Sequence, residues 1–173
     1  MNGDLTELYQ EVILDHSRRP RNFGELPDAT ARAHGDNPSC GDEIHLGIKL
    51  ADDQIADLKF SGQGCAISQA SASLMTTKLK GKTRAEANRL LRAFEMLVTS
   101  DGSETDRSLG DLRVMQGVRK FPQRVKCAML AWRAAEQALS ENAAEARVST
   151  EHNEVDSPDD HAPSLVERDR LSS

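Results

Sequence analysis

Glu43-Ile44-His45-Leu46-Gly47-Ile48-Lys49-Leu50, then Ala51-Asp52-Asp53-Gln54, then Ile55-Ala56-Asp57-Leu58-Lys59-Phe60, is the stretch on which the fold turns. Ile44, Leu46, Ile48 and Leu50 alternate with Glu43, His45, Gly47 and Lys49, the period of a strand with one buried face. Ala51 to Gln54 is turn-like. The second run sets Ala56, Leu58 and Phe60 on one face, and Ile55, Asp57 and Lys59 on the other. Two such runs across a short polar turn predict an antiparallel hairpin.

Working outward, residues near Ala31 to His34 are read as a third strand. Asp4-Leu5-Thr6-Glu7 has the form of a capping box opening a helix, with Leu8, Tyr9, Val12 and Ile13 at helical spacing and a stop at Arg18-Arg19-Pro20. Ala66 to Lys80 reads as a helix ending at Gly81. Thr83-Arg84-Ala85-Glu86 is a second capping box, leading Ala87, Leu90, Leu91, Phe94, Leu97 and Val98 into an amphipathic helix. A polar loop, Ser100 to Gly110, and a short helix around Leu112 to Val118 follow. Pro122 then opens a last long helix to about Leu139, with Val125, Met129 and Trp132 on one stripe.

The chain has 173 residues and a net charge of −6. From Glu141 onward nine acidic residues face three basic ones, a balance that accounts for the whole net charge. The reading is therefore one charge-balanced domain over 1–140, and an acidic, periodless tail over 141–173 that is expected to be disordered. A balanced body with 3% aromatic residues argues against nucleic acid as a partner. No apolar run is long enough for a bilayer, so no membrane role is expected. Met1-Asn2-Gly3-Asp4 lacks the basic and apolar regions of a signal peptide. With an odd number of cysteines, this points to the reducing cytoplasm.

Those cysteines are Cys40, Cys65 and Cys127, and Asp42 stands two residues from the first. Three thiolates and one carboxylate are a complete donor set for a tetrahedral metal such as zinc. Cys40 and Asp42 lie just before the hairpin and Cys65 just after it. An antiparallel hairpin returns the chain to where it began, so these three converge to about 5–10 Å. Gly62-Gln63-Gly64-Cys65 launches a helix, and a helix N-terminus favours a thiolate. Arg124 and Lys126 add positive charge near Cys127. Nothing local brings Cys127 to the other three; taken alone it reads as a core residue of its helix. His16, His34 and His45 read as solvated or structural histidines.

Separated motifs along residues 4 to 140 resemble the SufU/IscU family of iron–sulfur assembly proteins, which is similar to the N-terminal domain of NifU. They are Leu8-Tyr9-Gln10-Glu11-Val12-Ile13-Leu14-Asp15-His16, Arg19-Pro20-Arg21-Asn22-Phe23-Gly24, Asn37-Pro38-Ser39-Cys40-Gly41-Asp42, Phe60-Ser61-Gly62-Gln63-Gly64-Cys65-Ala66-Ile67-Ser68, and Val125-Lys126-Cys127-Ala128 with Leu130-Ala131-Trp132. The scaffold branch of the family usually has a histidine immediately before the third cysteine. Here that residue is Lys126, and the Cys65–Cys127 segment looks longer, so the chain resembles the SufU branch.

The resemblance implies an α+β fold: a small antiparallel sheet, of about three strands, packed on one side by α-helices. It implies zinc held by Cys40, Asp42, Cys65 and Cys127. It also implies a pyridoxal-phosphate cysteine desulfurase (SufS-like) as partner, with downstream iron–sulfur assembly proteins as recipients. A histidine of that partner is expected to take a zinc position, freeing Cys40 as the catalytic sulfur acceptor of a zinc-dependent sulfurtransferase. The alternative is a scaffold on which iron or a transient iron–sulfur cluster is held and passed on. A third reading is an interaction domain with a structural zinc.

Overall fold

The computed structural model describes residues 2–100, 107–140 and 145–149. Helix α1 (Asn2–Arg18) is followed by strands β1 (Ala31–Asn37), β2 (Asp42–Ala51) and β3 (Gln54–Gln63). Helices α2 (Ala66–Leu79) and α3 (Arg84–Thr99), a kinked 3-10 segment (Arg107–Lys120), α4 (Pro122–Leu139) and β4 (Glu145–Ser149) complete it. The architecture is α+β, with the sheet in the order β3-β2-β1-β4.

The hairpin forms where the alternation placed it, with Leu46 opposite Phe60 and Ile48 opposite Leu58. The inner face buries Ile44, Leu46, Ile48, Leu58 and Phe60. α4 lies on that face and α2 packs on α4. Phe94 of α3 stacks on Trp132 of α4, with ring centroids 4.2 Å apart. The indole N–H of Trp132 donates to Ser71 Oγ at 3.0 Å, and that hydroxyl donates to the Ala128 carbonyl at 2.6 Å. A tryptophan N–H buried without such a partner would be costly.

Local signals fixed the helix ends. Thr83 caps α3 by accepting from the Glu86 N–H at 3.1 Å, as its capping box requires. Pro122 occupies the first turn of α4, where its missing N–H costs nothing. α1 begins at Asn2, so Asp4 lies inside its first turn rather than capping it. The short helix expected at 112–118 is the longer 3-10 segment, broken at Gly110 (φ +52°). Residues 101–106 of the expected polar loop lie outside the described residues. None of the described helices is long and apolar enough to cross a membrane.

Two expectations about the sheet also change. Ile55 is fully buried and Ala56 exposed, the reverse of the simple alternation. A register shift between Lys49 and Leu50 pairs Leu50 with Ile55, which turns that side chain inward. The sheet also has a fourth strand and is mixed rather than wholly antiparallel, because β4 pairs parallel to β1 with Val148 beside Gly35. β4 lies beyond residue 140, where the sequence suggested only a tail. Residues 150–173 of that tail lie outside the described residues.

Candidate metal centre

Each of the four expected ligands is delivered by a different part of the fold. Asp42 opens β2 on the inward face and is 2% exposed. Cys65 is the N-cap of α2, its Sγ accepting from the Ser68 N–H at 3.5 Å. Cys127 sits in the first turns of α4, fully buried. Cys40 is half-buried on the β1–β2 turn, where its N–H reaches the Asn37 carbonyl at 3.2 Å. Gly41 beside it takes a positive φ of 71°.

The structure brings Cys40, Asp42 and Cys127 together, with one donor atom of each within 4.8 Å of the others. Cys127 Sγ lies 3.3 Å from Cys40 Sγ. Cys65 lies outside that mutual group and joins it through Asp42: the Cys65 Sγ is 4.0 Å from Asp42 Oδ2. The Cys65 N–H donates to Asp42 Oδ1 at 2.8 Å, locking the β3–α2 corner against the carboxylate.

That corner needs its glycines. A Cβ on Gly62, whose φ is +129°, would lie 2.1 Å from the Glu43 carbonyl oxygen. A Cβ on Gly64 would lie 2.6 Å from Asp42 Oδ1. The Gly-x-Gly before Cys65 is therefore a close-approach device for the carboxylate and strand rather than a phosphate loop.

The electrostatics fit a cation. Burial pushes the Cys127 thiol well above the usual thiol range, and hydrogen bonds with Asp42 and Cys40 and the nearby Cys65 charge push it further. The thiolates of Cys65 and Cys127, once ionised, lie close enough to Arg124 to raise its pKa. Without a counter-cation, so many acidic groups cannot all ionise side by side. Zinc binds thiolate at about 2.3 Å and carboxylate at about 2.0–2.2 Å, which sets donor separations near 3.6–3.8 Å. The 3.3 Å Cys40–Cys127 and 4.0 Å Cys65–Asp42 separations straddle that value, while Cys65 must swing inward to join the Cys40–Asp42–Cys127 group.

One contributor escaped the sequence. Asn37 is fully buried and aims Nδ2 at Cys127 Sγ across 3.6 Å, while its Oδ1 has no partner among the described residues. Its signal was its place at the end of a strand before Pro38, which read only as a turn. The histidines fall elsewhere. His16 Nδ1 meets Ser73 Oγ at 2.7 Å, and His34 and His45 lie on the opposite face of the sheet from Asp42.

Known proteins resemble this chain over most of its length. The family model described as the NifU-like N-terminal domain matches residues 8–148. The chain is 43% identical over 139 residues to the zinc-dependent sulfurtransferase SufU of Bacillus subtilis, covering 80% of this chain and 94% of that one. It is 42% identical over 139 residues to the iron–sulfur cluster assembly scaffold protein IscU of Streptococcus pyogenes, covering 80% and 87%. A crystal structure of a proposed SUF-system assembly scaffold from Fervidobacterium islandicum superposes with a TM-score of 0.71 at 38% identity, covering 78% of this chain and 98% of that one.

Proposed function

This chain belongs to the NifU-like N-terminal domain family, and on that premise we propose that it serves iron–sulfur cluster assembly as a zinc-dependent sulfur acceptor. Cys40, Asp42, Cys65 and Cys127 would hold the zinc, whose contribution is to keep the thiols deprotonated at neutral pH. The partner is a cytoplasmic pyridoxal-phosphate cysteine desulfurase of the SufS type, which presents a persulfide. Downstream iron–sulfur assembly proteins receive the sulfur.

The observation that carries this reading is the inequality among the four ligands. Asp42 is anchored by the Cys65 N–H, Cys65 by the first turn of α2, and Cys127 by burial in α4. Cys40 sits on a turn among the exposed residues Pro38, Ser39 and Gly41, with its side chain touching Cys127 Sγ. It is the ligand able to swing toward a partner while three remain in place. Its thiolate attacks the outer sulfur of the persulfide. One S–S bond forms at Cys40, one breaks, and the partner's cysteine leaves as thiolate, with no net oxidation. Arg124 offsets the negative charge gathered at the site.

The test is mass spectrometry of the protein after incubation with desulfurase and isotopically labelled cysteine. A labelled persulfide is expected on Cys40 and lost in Cys40→Ser. Turnover by the desulfurase with no label on Cys40 overturns the reading. The near-equal similarity to an assembly scaffold keeps a second reading, since the same donors suit iron. Anaerobic reconstitution giving a visible-absorbing cluster that moves to an apo-acceptor would favour it.

A further inference from the structure

We propose that His34, Glu43 and His45 form a second divalent-metal site on the outer face of the sheet, taking zinc through two imidazoles and one carboxylate. His34 and His45 stand directly opposite each other on β1 and β2. Glu43 is two residues before His45, so the pleat sends it to the same face. The two rings stack with centroids 4.5 Å apart and planes 11° apart. Both direct the same atom at the same oxygen: Nε2 of His34 lies 3.0 Å, and Nε2 of His45 3.1 Å, from Glu43 Oε1. One donor atom from each residue falls within 4.8 Å of the other two.

Imidazole nitrogen and carboxylate oxygen are both zinc donors, with bonds of about 2.0–2.2 Å. Three such donors around a tetrahedral ion lie about 3.3–3.5 Å apart, so the N···O separations must widen by a few tenths of an ångström and the two near-parallel rings must tilt until their in-plane lone pairs meet at one ion. Glu43 Oε1 is the shared partner of both ring nitrogens. A cation bound between them satisfies all three groups at once.

The site is open. The His45 and Glu43 side chains are 54% and 43% exposed. His34 and His45 border a groove of about 370 Å³, also lined by Leu26, Arg32, Gly47 and Ser61. That leaves room for water or a small anion as a further ligand, the feature that separates an exchangeable site from a closed structural one. With three protein donors on an open face, binding weaker than at the four-donor cysteine set is expected. The two sites sit back to back: Asp42 points inward and its neighbour Glu43 outward.

The experiment uses the full-length protein carrying one equivalent of zinc, titrated with further zinc by calorimetry while the histidine ring nitrogens are followed by NMR. One further, weaker equivalent is expected, shifting the ring signals of His34 and His45. His45→Ala, an exposed position where folding is not at stake, should weaken that step more than about tenfold. Glu43→Gln should weaken it less, and neither should alter the first equivalent. A single equivalent overall overturns the proposal. So does a second equivalent that survives His45→Ala, or one that shifts only His16, His152 or His161. The first equivalent is read separately, so a failure of the cysteine centre is distinguishable from a failure here.

Discussion

Cys127 Sγ lies 3.3 Å from Cys40 Sγ, although 87 residues separate them in the chain. The two sulfurs share a site from opposite surroundings, one inside α4 and fully buried, the other on a half-buried turn. Cys127→Ser places a hydroxyl in a fully buried position, at a cost of about 1–3 kcal/mol beyond the lost ligand. Cys40→Ser carries no such burial cost, yet it should abolish sulfur acceptance. Urea denaturation set beside labelled-sulfur transfer separates the two effects.

Gly64→Ala tests the corner that fixes Asp42. Its Cβ would meet the carboxylate at 2.6 Å, a contact relieved only by moving the side chain that also accepts the Cys65 N–H. The expected result is a folded protein that purifies with markedly less zinc, read by metal analysis. Gly62→Ala meets backbone at 2.1 Å and needs a positive φ, so it should fail to fold, read by circular dichroism.

Arg124 balances charge. On the proposed four-ligand zinc site, three thiolates and one carboxylate around a dication would leave two net negative charges, and the Cys65 and Cys127 thiolates raise the pKa of Arg124. Arg124→Ala should weaken zinc retention about tenfold, with Arg124→Lys intermediate, as measured by competition with a chromophoric chelator.

His16 gives a pH-dependent term of definite sign. Burial, and then the Arg21 charge, lower its pKa below 6.5. The folded state therefore binds this proton less readily than the unfolded chain. Its contribution to stability is complete above pH 6.5 and falls as pH drops through that value toward the lower folded pKa. The drop in unfolding free energy between pH 8 and about pH 5.5 should be smaller in His16→Gln than in the wild type. Paired urea titrations cancel the other acid-sensitive groups.

Ser71→Ala leaves the Trp132 indole N–H without its acceptor in a fully buried position. A loss of about 1–3 kcal/mol is expected. Trp132 is the chain's single tryptophan, so its own fluorescence reports the transition.

What could be read from the sequence was local. The alternation from Ile44 to Leu50 placed a strand because a half-buried strand leaves that period. Thr83 and Glu86 placed a helix start because their reciprocal bonds span a single turn. Cys40, Asp42 and Cys65 could be brought near one another because a hairpin closes over a short distance. Cys127 could be joined to them only through resemblance, since its position depends on how α4 docks on the sheet. Ile55 was misassigned because a one-residue register shift reverses a face without changing composition. β4 escaped because Glu145–Ser149 is short and polar, and its partner strand is remote. The stacking of His34 on His45 depends on a register that Ala31-Arg32-Ala33-His34-Gly35-Asp36-Asn37 does not specify by pattern.

The parallel pairing of β4 with β1 bears on how the protein is made. During synthesis the ribosome delivers β1, then β2 and β3, and the hairpin can close as soon as it emerges. The free edge of β1 must wait for Ser149, whose hydroxyl reaches Asp36 across 113 residues of chain. Until then the nascent domain displays an unpaired strand edge, the kind of surface that recruits strands from neighbouring chains. Folding in a crowded cell therefore depends on the last few residues of the domain, which close the edge late and take no direct part in the cysteine chemistry.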